Sequence, residues 1–411
     1  MYKRFELLVT TSFLLAALIC ACSSAQAREK VLYQFPGGSG GNDPQAGLVF
    51  DAQGNAYGTT YYGGTYGWGT VFRLTPSHDG WTQQLLYSFL GGSDGYNPAG
   101  TLAIDATGNL YGTTSYGGTG TGCQQRSCGT VFELALSNGN WKHVVLHSFC
   151  SPTGCNDGSI PSGLTFDQAG NLYGTTAGGG QYGSGTIYEL YRSQGSWKEK
   201  ILHAFNNNGD GIDPNPGLTM DKSGNLYGTT CCGGGYGYGV VFVLKPSKRK
   251  WKEVLIFAFD GTSNNSAYPN GYLALDSAGN ILGTTPGDYN GCPSNCGMVF
   301  KLARSNGQWV ESAVYTFDGT HGARPNFGLI PDGAGNFYGS TVSGGKNNFG
   351  EVFALKPGKT WTIQALYSFT GDGGDESPNP GLTFGPDGGL YGTNPAVYTG
   401  QYDGQVFEVL R

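Results

Sequence analysis

The sequence lacks an excess of positive charge. Lys and Arg number 23 against 29 Asp and Glu, which gives a formal net charge of −6. Because nucleic-acid phosphates are bound through clustered basic residues, this composition argues against a nucleic-acid partner. Charged residues of both signs make up only 13% of the chain. After residue 27 the sequence also has no apolar run long enough to cross a bilayer, so no membrane span is expected.

The amino terminus is the one strongly apolar part of the sequence. A basic start and an apolar stretch from Leu7 to Cys22 precede Ala25-Gln26-Ala27, the pattern of small residues that a signal peptidase recognises. We therefore expect residues 1–27 to be an export signal and residues 28–411 to form a single secreted or extracellular domain. The alternative is a lipoprotein anchored at Cys22, because the letters ICAC that end there resemble a lipobox.

Glycine is abundant, with 73 residues, and it recurs in a fixed pattern. The segment GNLYGTT (Gly170–Thr176) has near-copies throughout the chain. Its tyrosine, or the residue that replaces it, returns every 53 to 62 residues, at Tyr57, Tyr111, Tyr173, Tyr227, Leu282, Tyr338 and Tyr391. Such a period indicates a repeat architecture, and seven copies account for almost all of the chain after the signal.

Each repeat contains four strand-like segments. In the third repeat these are GLTFD (163–167), LYGTT (172–176), GTIYEL (185–190) and WKEKILHAF (197–205). The turn QAGN joins the first two segments, and Gly170 can adopt the positive φ that such a turn needs. Seven repeats of four short antiparallel strands predict an all-β fold, a seven-bladed β-propeller.

The two ends of the chain complement each other. The last repeat stops after its third strand (404–411), whereas VLYQF (Val31–Phe35) near the N-terminus matches a fourth strand. We therefore expect the ring to be closed by the N-terminal strand, which removes exposed sheet edges. The glycine inside each LYGTT strand, such as Gly174, is predicted to lie against a large aromatic ring such as Tyr188. A feature repeated seven times belongs to the scaffold.

The repeat carries a family resemblance. The segment GLTFDQAGNLYGTTAGGGQYGSGTIYEL (163–190) resembles the Gloeo/Verruco (GloVer) tandem repeat of exported bacterial proteins. The opening GL-x-x-D-x-x-GN-L-Y is also similar to NHL-type propeller blades. The resemblance covers roughly residues 31–411, and it implies an extracellular repeat protein without an assigned activity.

Tryptophan and histidine follow the repeat. Six tryptophans open the fourth strand of a repeat and are expected to be packing residues: Trp81, Trp141, Trp197, Trp251, Trp309 and Trp361. His147 and His203 take the place of tyrosine in the fourth strand, and we predict a structural role for both.

The cysteines form close pairs in the sequence. Of 10 cysteines, eight lie outside the predicted signal, and three close pairs predict local disulfides, as is typical of exported proteins: Cys123–Cys128, Cys150–Cys155 and Cys292–Cys296. Cys231 and Cys232 are adjacent, and they could form a vicinal disulfide or remain thiols. A zinc site is disfavoured because the spacings are not CxxC and no histidine cluster accompanies them. No cofactor or metal is predicted, with calcium in the loops as an alternative that lacks a ligand-spaced motif.

The candidate site lies in the loops. If the first strand of each blade is innermost, the loops between second and third strands and those between blades emerge on one face. Their aromatic and ionisable side chains are the candidate ligand-binding residues: Trp68, Tyr62, Tyr66, Tyr182, Tyr236, Tyr238, His321 and Arg324. Trp68 departs from the register of the packing tryptophans. The alternative is that its ring packs on the loop of the next blade.

The same loops carry carboxylates. They are Asp43, Asp94, Asp157, Asp210, Asp213, Asp260, Asp318, Asp372 and Asp375. Aromatic rings combined with carboxylates suit carbohydrate binding, whereas the plainer interpretation is that these residues form turns. We expect a monomeric, non-catalytic binding or scaffold propeller that engages an extracellular glycan or protein. The alternative is a polysaccharide lyase or glycoside hydrolase with an acidic pair near the central channel, which would need two carboxylates at a defined separation.

Overall fold

The computed structural model describes most of the chain. The described residues are 29–78, 80–120, 122, 128–150, 154–248, 250–261, 267–287, 296–371, 377–378, 381–395 and 403–410. The predicted export signal and Cys22 lie outside them. Among the described residues, no helix is both long enough and apolar enough to cross a bilayer.

The described elements are almost entirely strands. Two short 3₁₀ turns occur at Gly38–Gly40 and Gly92–Asp94. The strands of the first half are β1 (Glu29–Gln34), β2 (Val49–Phe50), β3 (Ala56–Thr60), β4 (Thr70–Ser77), β5 (Gly80–Ser88), β6 (Tyr96–Ile104), β7 (Leu110–Tyr116), β8 (Thr130–Ser137), β9 (Asn140–Ser148), β10 (Ser159–Phe166), β11 (Leu172–Gly178), β12 (Thr186–Ser193), β13 (Ser196–Ala204), β14 (Ile212–Pro214) and β15 (Thr219–Met220). Those of the second half are β16 (Leu226–Cys232), β17 (Val240–Lys245), β18 (Lys252–Ala258), β19 (Asn270–Leu275), β20 (Ile281–Thr285), β21 (Met298–Ser305), β22 (Gln308–Thr316), β23 (Ala323–Pro331), β24 (Phe337–Ser343), β25 (Glu351–Lys356), β26 (Thr362–Ser368), β27 (Thr383–Phe384), β28 (Leu390–Asn394) and β29 (Gln405–Val409).

These strands form antiparallel groups of four, in the propeller-like repeats that the sequence predicts. We call the groups units and number them along the chain: β2–β5 is unit 1, β6–β9 unit 2, β10–β13 unit 3, β14–β18 unit 4, β19–β22 unit 5, β23–β26 unit 6, and β27–β29 with β1 unit 7. In unit 4 the first strand is split, and both pieces, β14 and β15, pair with β16. Units 5 and 6 share one eight-stranded sheet through a single parallel pair, Tyr272 with Gly328.

The first hairpin of each unit is held by an aspartate. In unit 3, Asp167 accepts hydrogen bonds from the backbone N–H groups of Ala169 (2.8 Å) and Asn171 (2.9 Å) and from the hydroxyl of Tyr173 (3.1 Å). Gly170 has a φ of 82°, as the turn requires. The DxxGN motif therefore closes the turn and orients the tyrosine of the following strand.

The glycine inside each second strand lies against an aromatic ring, which confirms the prediction. A Cβ added to Gly58 would come within 2.6 Å of Phe72 Cζ, and one added to Gly228 within 2.5 Å of Phe242 Cζ. The corresponding ring in unit 3 is Tyr188, which is fully buried. Glycine is required here because the ring of the third strand occupies the space of its side chain.

Neighbouring units pack through aromatic pairs at the boundaries between them, which we call seams. Trp141 of unit 2 meets Tyr57 of unit 1 edge-on, with ring centroids 6.2 Å apart. Trp81 of unit 1 meets Tyr391 of unit 7 in the same manner, at 6.3 Å. The predicted packing role of these tryptophans agrees with these contacts.

A backbone contact also recurs at every seam. In the first, the N–H of Asn97 donates to the carbonyl of Trp68 (2.9 Å), and Asn97 has a left-handed φ of 55°. The residue after Asn97 is Pro98, which packs so tightly on Gly69 that a side chain there would collide with the proline ring. The other N–H donors, which share the left-handed φ, are Asp43, Ile160, Asp213, Tyr268, Arg324 and Ser377. Asp43 donates to Asp403 of unit 7 (2.8 Å).

Candidate functional site

The loops that carry the candidate residues emerge together. In an antiparallel group of four strands, the connection from second to third strand and the connection to the next unit leave from the same end of the sheet. Direct contacts tie the two kinds of loop together, such as the backbone bridge between Asn42 and Tyr62. We call the surface formed by these connections the loop face.

Five aromatic residues of units 1 and 2 make a continuous cluster on the loop face. We call Tyr61, Tyr62, Trp68, Tyr96 and Tyr116 the aromatic cluster. Ring centroids are 4.9 Å apart for Trp68 and Tyr96, 5.4 Å for Tyr96 and Tyr116, and 4.8 Å for Tyr61 and Tyr62. Burial, together with the neighbouring Tyr116 hydroxyl, raises the pKa of Tyr61 well above its usual range. Tyr61 is therefore neutral at physiological pH.

Trp68 is supported on one side and exposed on the other. Its ring lies on Tyr96 and covers Gly91, where an added Cβ would be 3.0 Å from Nε1. Even so, 44% of Trp68 and 48% of Tyr62 remain exposed. The ring thus packs on the loop of the next unit, as the alternative interpretation has it, and still presents a broad apolar surface to solvent.

The backbone position of Trp68 is not unique. Trp68 forms a parallel bridge with Gly63, and Ser184, Tyr238 and Phe349 make the same bridge in units 3, 4 and 6. Tyr238 covers Gly261 and contacts Tyr268 at 5.6 Å, as Trp68 covers Gly91 and contacts Tyr96. What distinguishes unit 1 is the extension of the contact through Tyr96 to Tyr116.

The other predicted site residues are distributed around the loop face. Tyr66, Tyr182 and Tyr236 stand at equivalent loop tips and are 56%, 54% and 65% exposed. His321 lies 3.9 Å from the carboxylate of Asp318, on the connection between β22 and β23. The backbone of Arg324 makes the recurring seam contact, donating to Cys296 (2.7 Å). Of the predicted residues, only Tyr62 and Trp68 belong to the aromatic cluster.

Sequence reasoning did not select Tyr96, although a signal for it exists. The second residue before the repeated seam proline is Asn42, Tyr96, Ser159, Ile212, Ala267, Ala323 or Glu376 in the successive connections. Tyr96 is the single aromatic residue among them. Aligning this position across repeats would have indicated the partner of Trp68.

Several loop carboxylates are committed to the seams. Asp94 accepts hydrogen bonds from the Leu90 N–H (2.8 Å) and the Tyr87 hydroxyl (2.9 Å), and it lies 3.0 Å from Nδ1 of His143. Asp318 accepts a hydrogen bond from the N–H of Thr320 (2.8 Å). These contacts favour the turn-forming interpretation for both carboxylates. Asp372 and Asp375 lie outside the described residues.

Two seams combine a histidine with two carboxylates. Between units 2 and 3, Nε2 of His147 lies 3.3 Å from Asp157 and 3.8 Å from Glu199. Burial, with the nearby Asp157 as a second cause, raises the pKa of Glu199 to about 7 although His147 opposes the shift.

Between units 3 and 4, Nε2 of His203 lies 3.1 Å from Asp210. Burial and the charge of Asp210 raise the pKa of Glu253 to about 7. The fourth-strand histidines thus hold the loop aspartates, which is consistent with their predicted structural role.

One cavity lies among the first strands of several units. This cavity of about 250 Å³ is lined by glycines, aliphatic residues, Thr101, Phe327, Tyr338, Thr383 and Tyr272. Tyr272 is half-buried, and burial raises the pKa of its hydroxyl. None of the described residues lining this cavity is a carboxylate.

The predicted disulfide between Cys150 and Cys155 is confirmed. Cys128 and Cys296 are also disulfide-bonded, whereas their predicted partners, Cys123 and Cys292, lie outside the described residues. Cys231 and Cys232 are free thiols, which decides between the two alternatives for this pair.

The chain matches the Gloeobacter/Verrucomicrobia repeat over residues 18–156 and 122–330, two overlapping regions that together exceed half of its length. Among curated proteins, none is similar in sequence.

Two solved structures are similar to the chain at low sequence identity. The extracellular domain of a hybrid two-component system from B. thetaiotaomicron has a TM-score of 0.58 and 14% identity, with 93% of this chain and 42% of that chain covered. The chain therefore spans less than half the length of that protein. A polysaccharide lyase of family PL25, an ulvan lyase bound to -[GlcA(1-4)Rha3S]-, has a TM-score of 0.54 and 11% identity, with 93% and 96% covered. At such identities the likeness shows the fold alone.

Proposed function

We propose that this chain, which belongs to the Gloeobacter/Verrucomicrobia repeat family, is an exported, monomeric, seven-bladed propeller that binds a glycan through its loop face. The proposal has two parts: a closed ring that acts as a rigid scaffold, and an aromatic platform on that scaffold. The disulfide Cys150–Cys155 supports the export, because disulfides persist in oxidising compartments.

Contacts between the first and last units support the closed ring. β1 pairs antiparallel with β29, and Thr393 of unit 7 donates to the carbonyls of Pro44 (3.0 Å) and Ala46 (3.1 Å). The backbone contact of the other seams recurs here, as Asp43 with Asp403. The tryptophan–tyrosine contact of the seams between units 1 and 2, 2 and 3, and 3 and 4 also recurs, as Trp81 with Tyr391. Closure removes both sheet edges, which would otherwise invite aggregation.

The observation that carries the binding proposal is the half-exposed ring of Trp68. One face of the Trp68 ring packs on Tyr96, which fixes the orientation of the ring. Little side-chain conformational entropy is therefore lost when a ligand covers the exposed face. Large apolar rings with a fixed orientation are the groups that stack on sugar faces, and an exposed aromatic cluster of this kind marks a binding surface. Tyr62, with its hydroxyl, adds a polar group beside the platform.

The central cavity supports a binding protein rather than an enzyme. A glycoside hydrolase acts through two carboxyl groups about 5 to 9.5 Å apart. The described residues that line the cavity include no carboxylate, and Tyr272 is one of the lining residues. The alternative of a polysaccharide-active enzyme is tested by the experiment below.

The first prediction concerns Trp68. A glycan array identifies a ligand, and Trp68→Ala is expected to abolish its binding while the melting temperature changes by about 2 °C or less, as for a surface residue. The matched control is Phe349→Ala at the equivalent position of unit 6, which should lower the melting temperature because Phe349 packs against a buried cluster, yet leave binding intact. Retained binding by Trp68→Ala would place Trp68 in the scaffold.

The same glycans are assayed for newly released reducing ends and for the ultraviolet absorbance of unsaturated uronates. Binding without either product supports the proposal. Release of products would identify the chain as an enzyme of the alternative class.

A further inference from the structure

The seam between units 2 and 3 brings together three side chains that bind metals. Nε2 of His147, a carboxylate oxygen of Asp157 and one of Glu199 all lie within 4.8 Å of one another. The three come from separate elements: β9, the connection after β9, and β13. Their side chains are only 21%, 15% and 14% exposed. Among the described residues this is the one such group.

The distances fit a small divalent ion. A zinc ion bound tetrahedrally at about 2.0–2.2 Å places its ligand atoms about 3.3–3.6 Å apart. The His147 nitrogen lies 3.3 Å from Asp157 and 3.8 Å from Glu199, close to this range. The carboxylate oxygens of Asp157 and Glu199 lie within 4.8 Å of each other, so one ion can reach all three ligand atoms after a small side-chain adjustment. A neutral imidazole with two carboxylates carries two negative charges, which a divalent cation balances.

Protein contacts leave part of this group unsatisfied. Oε1 of Glu199 is buried, and none of the described residues donates a hydrogen bond to it. The carboxyl groups of Glu199 and Asp157 also share one partner, Nε2 of His147. An acceptor buried without a donor costs free energy, and a cation would remove that cost.

The ligand groups are held in place before any ion arrives. Asp157 accepts the N–H of Cys150 (2.9 and 3.0 Å), and the Cys150–Cys155 disulfide closes the loop that precedes Asp157. The ring of His147 lies edge-on to Phe149, with centroids 4.7 Å apart. Such support of the ligands is typical of protein metal sites.

We propose that His147, Asp157 and Glu199 bind one divalent transition-metal ion of the zinc type, which links unit 2 to unit 3. The imidazole nitrogen distinguishes this set from the all-oxygen sites that calcium and magnesium prefer. The sequence predicted no metal site. Glu199 in β13 reaches His147 in β9 only through the packing of unit 3 on unit 2, and the sequence does not reveal that packing.

The test is titration of the untagged, EDTA-treated, disulfide-intact chain with Zn²⁺ in a calorimeter. One ion per chain is expected, with a rise in the melting temperature. Glu199→Gln should lower the affinity by more than the roughly 10–100-fold that loss of an outer-shell partner costs, because Glu199 is a direct ligand in this proposal. The matched control is Glu253→Gln in the next seam, which should bind Zn²⁺ like the unchanged chain.

Two further measurements keep the test decisive. Co²⁺ should give the visible absorption of a tetrahedral site, and His147→Gln should abolish it, which does not depend on the folding of Glu199→Gln. The titration is repeated in a Cys231→Ser/Cys232→Ser chain to remove binding by the free thiols. Absence of Zn²⁺ binding, or equal binding by chains with and without Glu199→Gln, would overturn the proposal.

Discussion

At the scale of single residues, the carboxylates buried at the seams link stability to pH. Glu253 faces Asp210 and His203 across the seam between units 3 and 4, with Lys250 and Lys252 beside it. Burial, and then the charge of Asp210, raises the pKa of Glu253 from 4.5 to about 7. Between these values the folded chain holds a proton that the unfolded chain has lost. The contribution of Glu253 to stability therefore falls as the pH rises through this window.

We predict that Glu253→Gln removes this dependence. The variant should melt at a higher temperature than the unchanged chain above pH 7 and at nearly the same temperature near pH 4.5, because only the charged form is penalised by burial. The measurement is thermal unfolding at several pH values. Glu189→Gln is the control, since Glu189 is paired with Lys200 at 3.6 Å and should gain no stability at high pH. Parallel pH profiles for the unchanged chain and Glu253→Gln would assign the effect to another group.

At the scale of the strand, the repeated glycine is a packing requirement. Gly228 in β16 has no positive φ, so alanine fits its backbone, and the obstacle is the ring of Phe242 in β17 at 2.5 Å from an added Cβ. We predict that Gly228→Ala lowers the free energy of unfolding by about 1–3 kcal/mol, the usual cost of overpacking a core. Denaturant unfolding measures the loss.

A second parent chain, which carries Phe242→Leu, tests whether the ring of Phe242 causes the loss of stability in Gly228→Ala. In a Phe242→Leu chain the ring is gone, so adding Gly228→Ala should cost clearly less than it does in the unchanged chain. An equal cost in both backgrounds would mean that the loss arises from the backbone rather than from Phe242.

Strands were predictable from the sequence because their pattern is local. The predicted segment 172–176 lies within β11 (Leu172–Gly178), and 197–205 nearly coincides with β13 (Ser196–Ala204). The predicted segment 163–167 differs from β10, which begins at Ser159. The earlier start includes Ile160 and Pro161, where Ile160 donates to Cys128 of the preceding unit. That contact joins different repeats, so one repeat read alone does not reveal it.

In the candidate site, too, the contacts between different units could not be predicted from the repeat pattern. The glycine loops predicted that Tyr62 and Trp68 lie on an exposed face, since the strand order fixes which loops share an end. Tyr96, which lies under Trp68, and Glu199, which reaches His147, belong to the following unit. Their contacts depend on how one unit sits on the next, and the repeat pattern does not contain that register.

At the scale of the whole molecule, β1 and the residue that follows it contact both the first and the last unit. Phe35, just after β1, packs edge-on against Phe72 of unit 1 with centroids 5.0 Å apart, and its N–H donates to Gly404 of unit 7 (2.9 Å). The hydroxyl of Tyr33 also donates to Gln83 of unit 1 (2.8 Å). Removal of residues 28–36 would expose β29 as a free edge, so a large loss of melting temperature and aggregation are expected.

Closure is tested most directly by a covalent link between the two ends. Lys30 in β1 lies opposite Glu408 in β29, a separation that a disulfide spans, so Lys30→Cys with Glu408→Cys should oxidise spontaneously. Non-reducing peptide mapping identifies the link, and the linked chain should melt at a higher temperature than the same chain after reduction. The control is Lys30→Cys with Glu189→Cys, because Glu189 occupies in unit 3 the place of Glu408 in unit 7, opposite the repeated tyrosine. Equal cross-linking of the two pairs would reflect chance collision. Cross-linking of the first pair alone would show that β1 pairs with β29 in solution, as the proposed closed ring requires.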